Sequence, residues 1–190
     1  MTNTKTGQNK TIPTAPAPVD GVDHINIYSR GNTELGRQLS HFTHAPFIHP
    51  FFGPFESMEG FWYWMRAGNH LRAKELQDDK LRYLSGYKAK QYGKIFPINR
   101  YEHFKEDIIA ANYQKILQHR TLHNLLVEST LPFKHYYKFG PANLIVQPRD
   151  SQWLITGFER IRQALKENKI PDCWTAAAAR YTSQIVDSNS

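Results

Sequence analysis

The sequence predicts a mainly α-helical α+β domain with a few short strands. Three observations lead there. Residues 101–119 and 153–167 repeat apolar side chains at helical spacing, whereas the stretches that alternate or read as extended are few and short. Pro and Gly, eleven of each, cut the chain into pieces too brief for a large sheet. Hydrophobic residues make up 40%, with eleven Phe, ten Tyr and four Trp, enough for one ring-rich core in 190 residues.

Residues 1–22 carry Thr, Asn and Lys, then Pro13, Pro16 and Pro18. That composition has little to bury and reads as a flexible N-terminal tail. The domain is expected over 23–170. It opens with His24-Ile25-Asn26-Ile27-Tyr28, an alternating short strand, and Ser29 to Gly36 reads as loop. Leu39-Ser40-His41-Phe42 precedes a Pro/Phe-rich stretch, 46–55, that suits a hairpin or an irregular wrap. Ser57 is placed to cap a helix over roughly 58–67, ended by Gly68-Asn69. Residues 72–83 predict a charged surface helix, and 86–93 a short helix or turn bearing Lys88 and Lys90. Pro97 breaks the chain. Ile109, Tyr113 and Ile116 then fall at i, i+4 and i+7, with Phe104 and Ile108 beside them. Thr121 restarts a helix through Leu122, Leu125 and Leu126, and Pro132 ends it. Residues 133–147 read extended and 153–167 as an amphipathic helix. Pro171 introduces a C-terminal segment, 171–190, whose four alanines suit a frayed helix.

Lys plus Arg number 24 against 17 Asp plus Glu, a net charge of +7. That balance favours nucleic acid, nucleotides or phosphates as partners. Cys173 is the only cysteine, which excludes an intramolecular disulfide and a Cys-rich zinc site and fits a reducing cytoplasm. No stretch approaches the ~20 apolar residues of a membrane span, and the first residues lack the apolar core of a secretory signal. Neither a P-loop nor a GxGxxG pattern is present. ATP and Rossmann-type NAD chemistry are therefore not expected, nor is a cofactor.

One acid stands out. Glu59 lies in a run with Phe61, Trp62, Tyr63, Trp64 and Met65. On a helix, Glu59, Tyr63 and Arg66 share a stripe at i, i+4 and i+7, and Met58, Phe61, Trp62 and Met65 form the apolar face. Desolvation raises the pKa of such a carboxyl; a guanidinium and the helix N-terminus lower it. The group suits general acid–base work or the stabilisation of developing positive charge. A buried Glu59–Arg66 pair that only holds the fold is the competing reading.

Several short motifs, taken in order, resemble the NADAR family of N-glycosidases associated with NAD and ADP-ribose. They are Ile27-Tyr28-Ser29 at the end of a strand, Leu39-Ser40-His41-Phe42, and Pro46-Phe47 in a turn. Ser57-Met58-Glu59 follows, with Phe61 and Trp62 after it, then Ala89 to Lys94, then Tyr101 to Lys105 leading into Leu122, Leu125 and Leu126. The match runs over about 24–130, and more loosely to 167. His41 replaces the family's Asn, Arg66 its lysine and Tyr101 its Trp. The family's Asp-x-x-Trp-Gly pattern is expected to be absent, the nearest piece being His135 to Gly140. The chain looks like a divergent branch.

The resemblance implies a single domain with a glycosidase site. It implies cleavage of the bond between ribose C1 and a nitrogen, with water and no redox chemistry. Some family members release ADP-ribose from guanine in nucleic acid, reversing a toxin's modification, which belongs to toxin–antitoxin or phage-defence settings. Others act on ribosylamino-pyrimidine phosphates of riboflavin synthesis. The expected partner is ADP-ribose or ADP-ribosylated nucleic acid, not a membrane, and the oligomeric state is open. Glu59 and Lys90 are the expected catalytic residues. Glu59 faces C1, while Lys90 is an amine that can attack C1 if desolvated. Tyr28, Ser29, Arg30, His41, Phe42, Trp62, Tyr63, Arg66, Lys94 and Tyr101 are the expected substrate-binding residues. Rings stack on the base and cations hold the pyrophosphate. A non-catalytic ADP-ribose reader and a basic nucleic-acid-binding protein are rival readings.

His41, His44 and His49 lie close in sequence, and His119 and His123 stand at i, i+4. Both spacings suit zinc, but with no Cys pair and no HExxH signature no metal is expected. Lys88 and Lys90 among Tyr87 and Tyr92 read either as a nucleic-acid contact or as a solvated turn. Residues 135–140, HYYKFG, read either as a base-stacking patch or as an ordinary strand.

Overall fold

The long helix α4 (Phe104–Gln118) runs through the middle of the molecule, and every residue from Asp107 to Ile116 is buried. The spacing of Ile109, Tyr113 and Ile116 predicts one apolar face; the helix is covered on three. Those three side chains join Leu35, Leu39, Leu122, Leu126, Phe158 and Ile161 in one cluster. Ile108 and Ala111 join a ring-rich cluster with Phe47, Phe55, Phe61 and Trp64. Ala110 meets Ala177 and Tyr181. Small side chains at 110 and 111 let neighbouring elements approach where larger ones would hold them off.

The computed structural model describes residues 19–72, 76–99, 101–140 and 144–188, with side chains to 183. The architecture is α+β and mainly helical. Strand β1 (Ile25–Asn26) pairs in parallel with β4 (Phe133–Lys134). Thr33 accepts from the Gly36 N–H at 3.0 Å and caps α1 (Glu34–Leu39), a helix within and beyond a stretch expected to be loop. Strands β2 (Phe47–His49) and β3 (Gly53–Phe55) form the expected hairpin, with Phe47 opposite Phe55. Helix α2 (Met58–Arg66) follows, then α3 (Gly86–Gly93), α4 and α5 (Arg120–Glu128). The expected extended stretch holds β4 and the antiparallel pair β5 (Tyr137–Phe139) and β6 (Leu144–Val146). Helices α6 (Gln152–Lys166) and α7 (Asp172–Ser188) close the chain.

Residues 72–83 depart from the expected surface helix. Asn69–Leu71 and Lys80–Tyr83 are single 3-10 turns, and 73–75 lie outside the described residues. The reason is an inward arginine. Arg82 is 8% exposed, its guanidinium lies over the Phe55 and Trp64 rings, and it donates to Phe52 O, Gln77 Oε1 and Asp79 Oδ1. A guanidinium tolerates burial when its planar face stacks and its edge donors are satisfied.

Only the last four residues of the expected tail, 19–22, are described. Residues 1–18 lie outside the described residues, but Asp20 is buried and accepts from the N–H groups of Asn26 and Asn32. At the other end, α7 is no appendage. It packs along α4, and Arg180 donates to Asp107, which also accepts from the Tyr101 hydroxyl. Among the described residues no helix is long and apolar enough to cross a membrane.

Candidate active site

Glu59 stands in the first turn of α2. Ser57 starts that helix: its Oγ accepts from Gly60 N–H at 3.0 Å and donates to Leu84 O at 2.8 Å. The cap thus anchors α2 to the turn that leads into α3. The Glu59 N–H donates to His41 O at 2.9 Å, which ties the same turn to the loop carrying His41 and Phe42. Helix α3 lies against α2 at Gly93. A Cβ there would sit 2.1 Å from Tyr63 Cγ, so only glycine allows this approach. The approach brings Lys90 toward Glu59.

These pieces, with the start of β5 and the start of α6, enclose a cavity of about 300 Å³. Glu59, Trp62 and Tyr63 line it from α2, His41 and Phe42 from the loop, and Lys90 from α3. His135, Tyr137, Asp150 and Trp153 also line it. Trp62 and Trp153 stack with centroids 5.8 Å apart and planes at 25°. At the rim Lys105 Nζ lies 2.8 Å from Asp150 Oδ2.

Burial pushes the Glu59 carboxyl up to about 7, and the Lys90 charge only partly offsets it. The cation acting on Glu59 is therefore Lys90, not Arg66. Arg66 lies over the Tyr63 ring instead, 5.3 Å from its centroid. Near neutrality Glu59 is available both as acid and as carboxylate. Burial, and next the Glu59 charge, raise the pKa values of Tyr63 and Tyr137, which keeps both hydroxyls protonated as donors.

Behind the cavity His41 is fixed in one tautomer. Asn112 Nδ2 lies 2.9 Å from Ile108 O and 3.0 Å from His41 Nε2. A carbonyl oxygen only accepts, so the amide must turn its NH₂ toward Ile108. The same NH₂ then donates to His41 Nε2, which must be unprotonated. The ring proton therefore sits on Nδ1, the nitrogen Asn112 does not touch. Burial, then Lys115, then His135, lower the His41 pKa to about 3. His41 is a neutral hydrogen-bond donor and no proton shuttle. Lys115, 0% exposed, donates to Gln38 O at 2.8 Å, and burial lowers its pKa to about 7. The fully desolvated amine of this region is thus Lys115, which does not line the cavity, whereas Lys90 is half-buried in its wall.

The cavity brings together six of the expected residues: Glu59, Lys90, His41, Phe42, Trp62 and Tyr63. Tyr28 stands one ring behind, 5.5 Å from Tyr137. Ser29 and Arg30 follow it in the loop after β1, outside the lining. Arg66 and Tyr101 line a neighbouring cavity of about 370 Å³ on the other side of Trp62. Tyr101 also packs on His70 and donates to Asp107, a structural position. Lys94 is exposed at the end of α3.

Nine further wall residues are not among the expected site residues, His135, Tyr137, Asp150 and Trp153 among them. Asp150 and Trp153 stand at i and i+3 where α6 begins, an acid and a ring within one helical turn. His135 and Tyr137 belong to the HYYKFG segment. Asn112 and Lys115 carried no signal, since polar residues on a helix are ordinarily solvated. Three of the remaining histidines have clear structural partners. His49 stacks between Phe52 and Phe61, His44 pairs with Glu56, and His119 donates to Pro46 O. Among the described residues no group of three or more His, Cys, Asp or Glu is placed to hold a metal. Compared with known protein families, curated proteins and solved structures, the chain matches none.

Proposed function

We propose that the protein is an N-glycosidase that releases ADP-ribose from a nucleobase, with guanine in DNA the expected base. One observation carries the reading. A carboxyl poised near neutrality faces a lysine inside a ring-walled cavity. The order of the NADAR-like motifs supports it, because their Glu59, Lys90, His41 and Trp62 line one cavity.

The chemistry follows from the groups. As the C1–N bond stretches, C1 gains oxocarbenium-like charge, which ionised Glu59 stabilises from close range in a water-poor site. Water adds to C1; its oxygen stays on the ribose and one proton leaves with the base nitrogen. Trp62 and Trp153 offer flat faces to the base or ribose. Lys90 neutralises phosphate, and His41 donates through Nδ1. The Glu59→Gln variant should cut release roughly 10²–10⁴-fold while folding normally. Wild-type release should change with pH around the Glu59 midpoint near 7. The assay is liberated ADP-ribose from guanine-ADP-ribosylated DNA. Full activity in the folded variant sinks the assignment, and tight ADP-ribose binding without turnover makes the protein a reader.

The cavity size favours one second reading. At about 300 Å³ it holds a nucleoside-sized group, at the low end of ligand sites, and not a whole dinucleotide. A ribosylamino-pyrimidine phosphate fits that volume. Faster release from such a compound than from modified DNA would select it.

A further inference from the structure

We infer that the two banks of the cavity form a docking surface for a single strand of nucleic acid. The inference deepens the glycosidase reading and rests on it for the group that enters the cavity. It starts from where the charge lies. Residues 84–99 carry three Lys and no Asp or Glu, and residues 133–149 carry three Lys or Arg and no acid. These six cations nearly equal the net charge of +7, so the rest of the chain is close to neutral. Both acid-free segments reach the cavity, one through Lys90 and the other through His135 and Tyr137.

Each bank presents more than charge. On α3, Tyr87, Lys90 and Lys94 stand at i, i+3 and i+7 and share one face, with Lys90 at the cavity and Tyr87 65% exposed. On the opposite bank, strand alternation puts Phe139 on the same face as the cavity residue Tyr137, with ring centroids 6.1 Å apart. Leu144 pairs opposite Phe139, and the two are 64% and 55% exposed. Exposed apolar side chains that stand together, as Phe139 and Leu144 do, offer a contact surface. A strand of nucleic acid supplies both complements, flat base faces for the rings and phosphates for the cations. A paired duplex hides its base faces, so the strand must be single or locally opened. The cavity admits one nucleoside-sized group, and the flanking nucleotides then lie along the banks. An acidic peptide would satisfy the cations and leave Phe139 and Leu144 without a match.

The test uses the full chain and a short fluorescein-labelled, unmodified single-stranded DNA of mixed sequence, read by anisotropy across a salt series. The wild type should bind, more weakly as salt rises. Tyr87→Ala with Lys94→Glu, and separately Phe139→Ala with Leu144→Ser, should each weaken binding at least about tenfold. All four positions are exposed, so the fold should hold, and circular dichroism checks it. Arg120→Glu, which carries the same charge change as Lys94→Glu but on α5, should bind within about twofold of wild type. No binding, binding indifferent to both double variants, or a preference for phosphatidylserine vesicles that DNA does not compete away overturns the inference. The two readings fail separately. Lost strand binding with release from small substrates intact removes the surface alone; strand binding without any release keeps the surface and removes the glycosidase.

Discussion

Lys115 and Asn112 lie one layer beneath the cavity, and each makes a prediction that needs no substrate. Burial holds the Lys115 amine at about 7, below its ordinary 10.5. Between those values the unfolded chain carries a proton that the folded one lacks, so stability falls as pH drops from about 10 toward 7 and then levels. Lys115→Met removes that dependence. Its stability relative to wild type should be highest at pH 7 and below and should decline by on the order of a few kcal/mol toward pH 10. Urea unfolding at several pH values measures it, and a pH-independent difference would refute the buried-amine account. Asn112→Asp replaces a donor by an acceptor next to His41 Nε2. The ring should then carry its proton on Nε2 and titrate at higher pH, shifted upward by more than a unit from about 3. Nitrogen-15 NMR of the ring distinguishes the tautomers in both proteins. Glu59 stands out in the sequence because an acid inside a run of rings demands an explanation, and it lines the cavity. Lys115 does not stand out, because only the packing of α4 on all sides turns an ordinary helical lysine inward.

At the scale of elements, the site depends on how closely α3 approaches α2. Gly93→Ala puts a methyl where Tyr63 Cβ and Cγ already are, and something must shift. The variant should lose about 1–3 kcal/mol of stability, the range of an overpacked core. It should also lose more release than Tyr87→Ala, because Lys90 and the Glu59 turn move apart. Thermal melts read the first effect and the release assay the second; unchanged release with lowered stability would mean that this contact does not set the Lys90–Glu59 geometry. The elements that local chemistry specifies were readable: the hairpin from its Pro/Phe-rich turn, α2 from Ser57, α5 and α6 from their periodicity. Those that long-range packing specifies were not. The stretch 72–83 looks like a helix until Arg82 is seen to stack on Phe55 and Trp64, from residues some twenty positions away. Helix α1 hides in a polar stretch because its signal is one capping threonine.

The whole molecule is clasped by α7. Asp107 is buried in α4 with Arg180 and the Tyr101 hydroxyl as its partners. Arg180→Ala leaves that carboxylate without its cation and should cost roughly 2–3 kcal/mol, somewhat less than for a fully buried pair because Arg180 is 24% exposed. Denaturant unfolding checks the loss, and adding Asp107→Asn should recover part of it. A mainly helical α+β domain was legible from periodicity and composition. That its last helix belongs to the core was not, because four alanines announce a helix without saying what it rests on.

The pairing of β1 with β4 has a consequence in time. Ile25 finds its partner Phe133 only after roughly a hundred further residues have been made, about 5–20 s at ordinary rates of synthesis. Through that interval Ile25 and Ile27 have no strand beside them, and Asp150 and Trp153, which finish the cavity wall, are made later still. A nascent chain that already holds Glu59 and Lys90 therefore still lacks part of the cavity that those two residues share with Asp150 and Trp153.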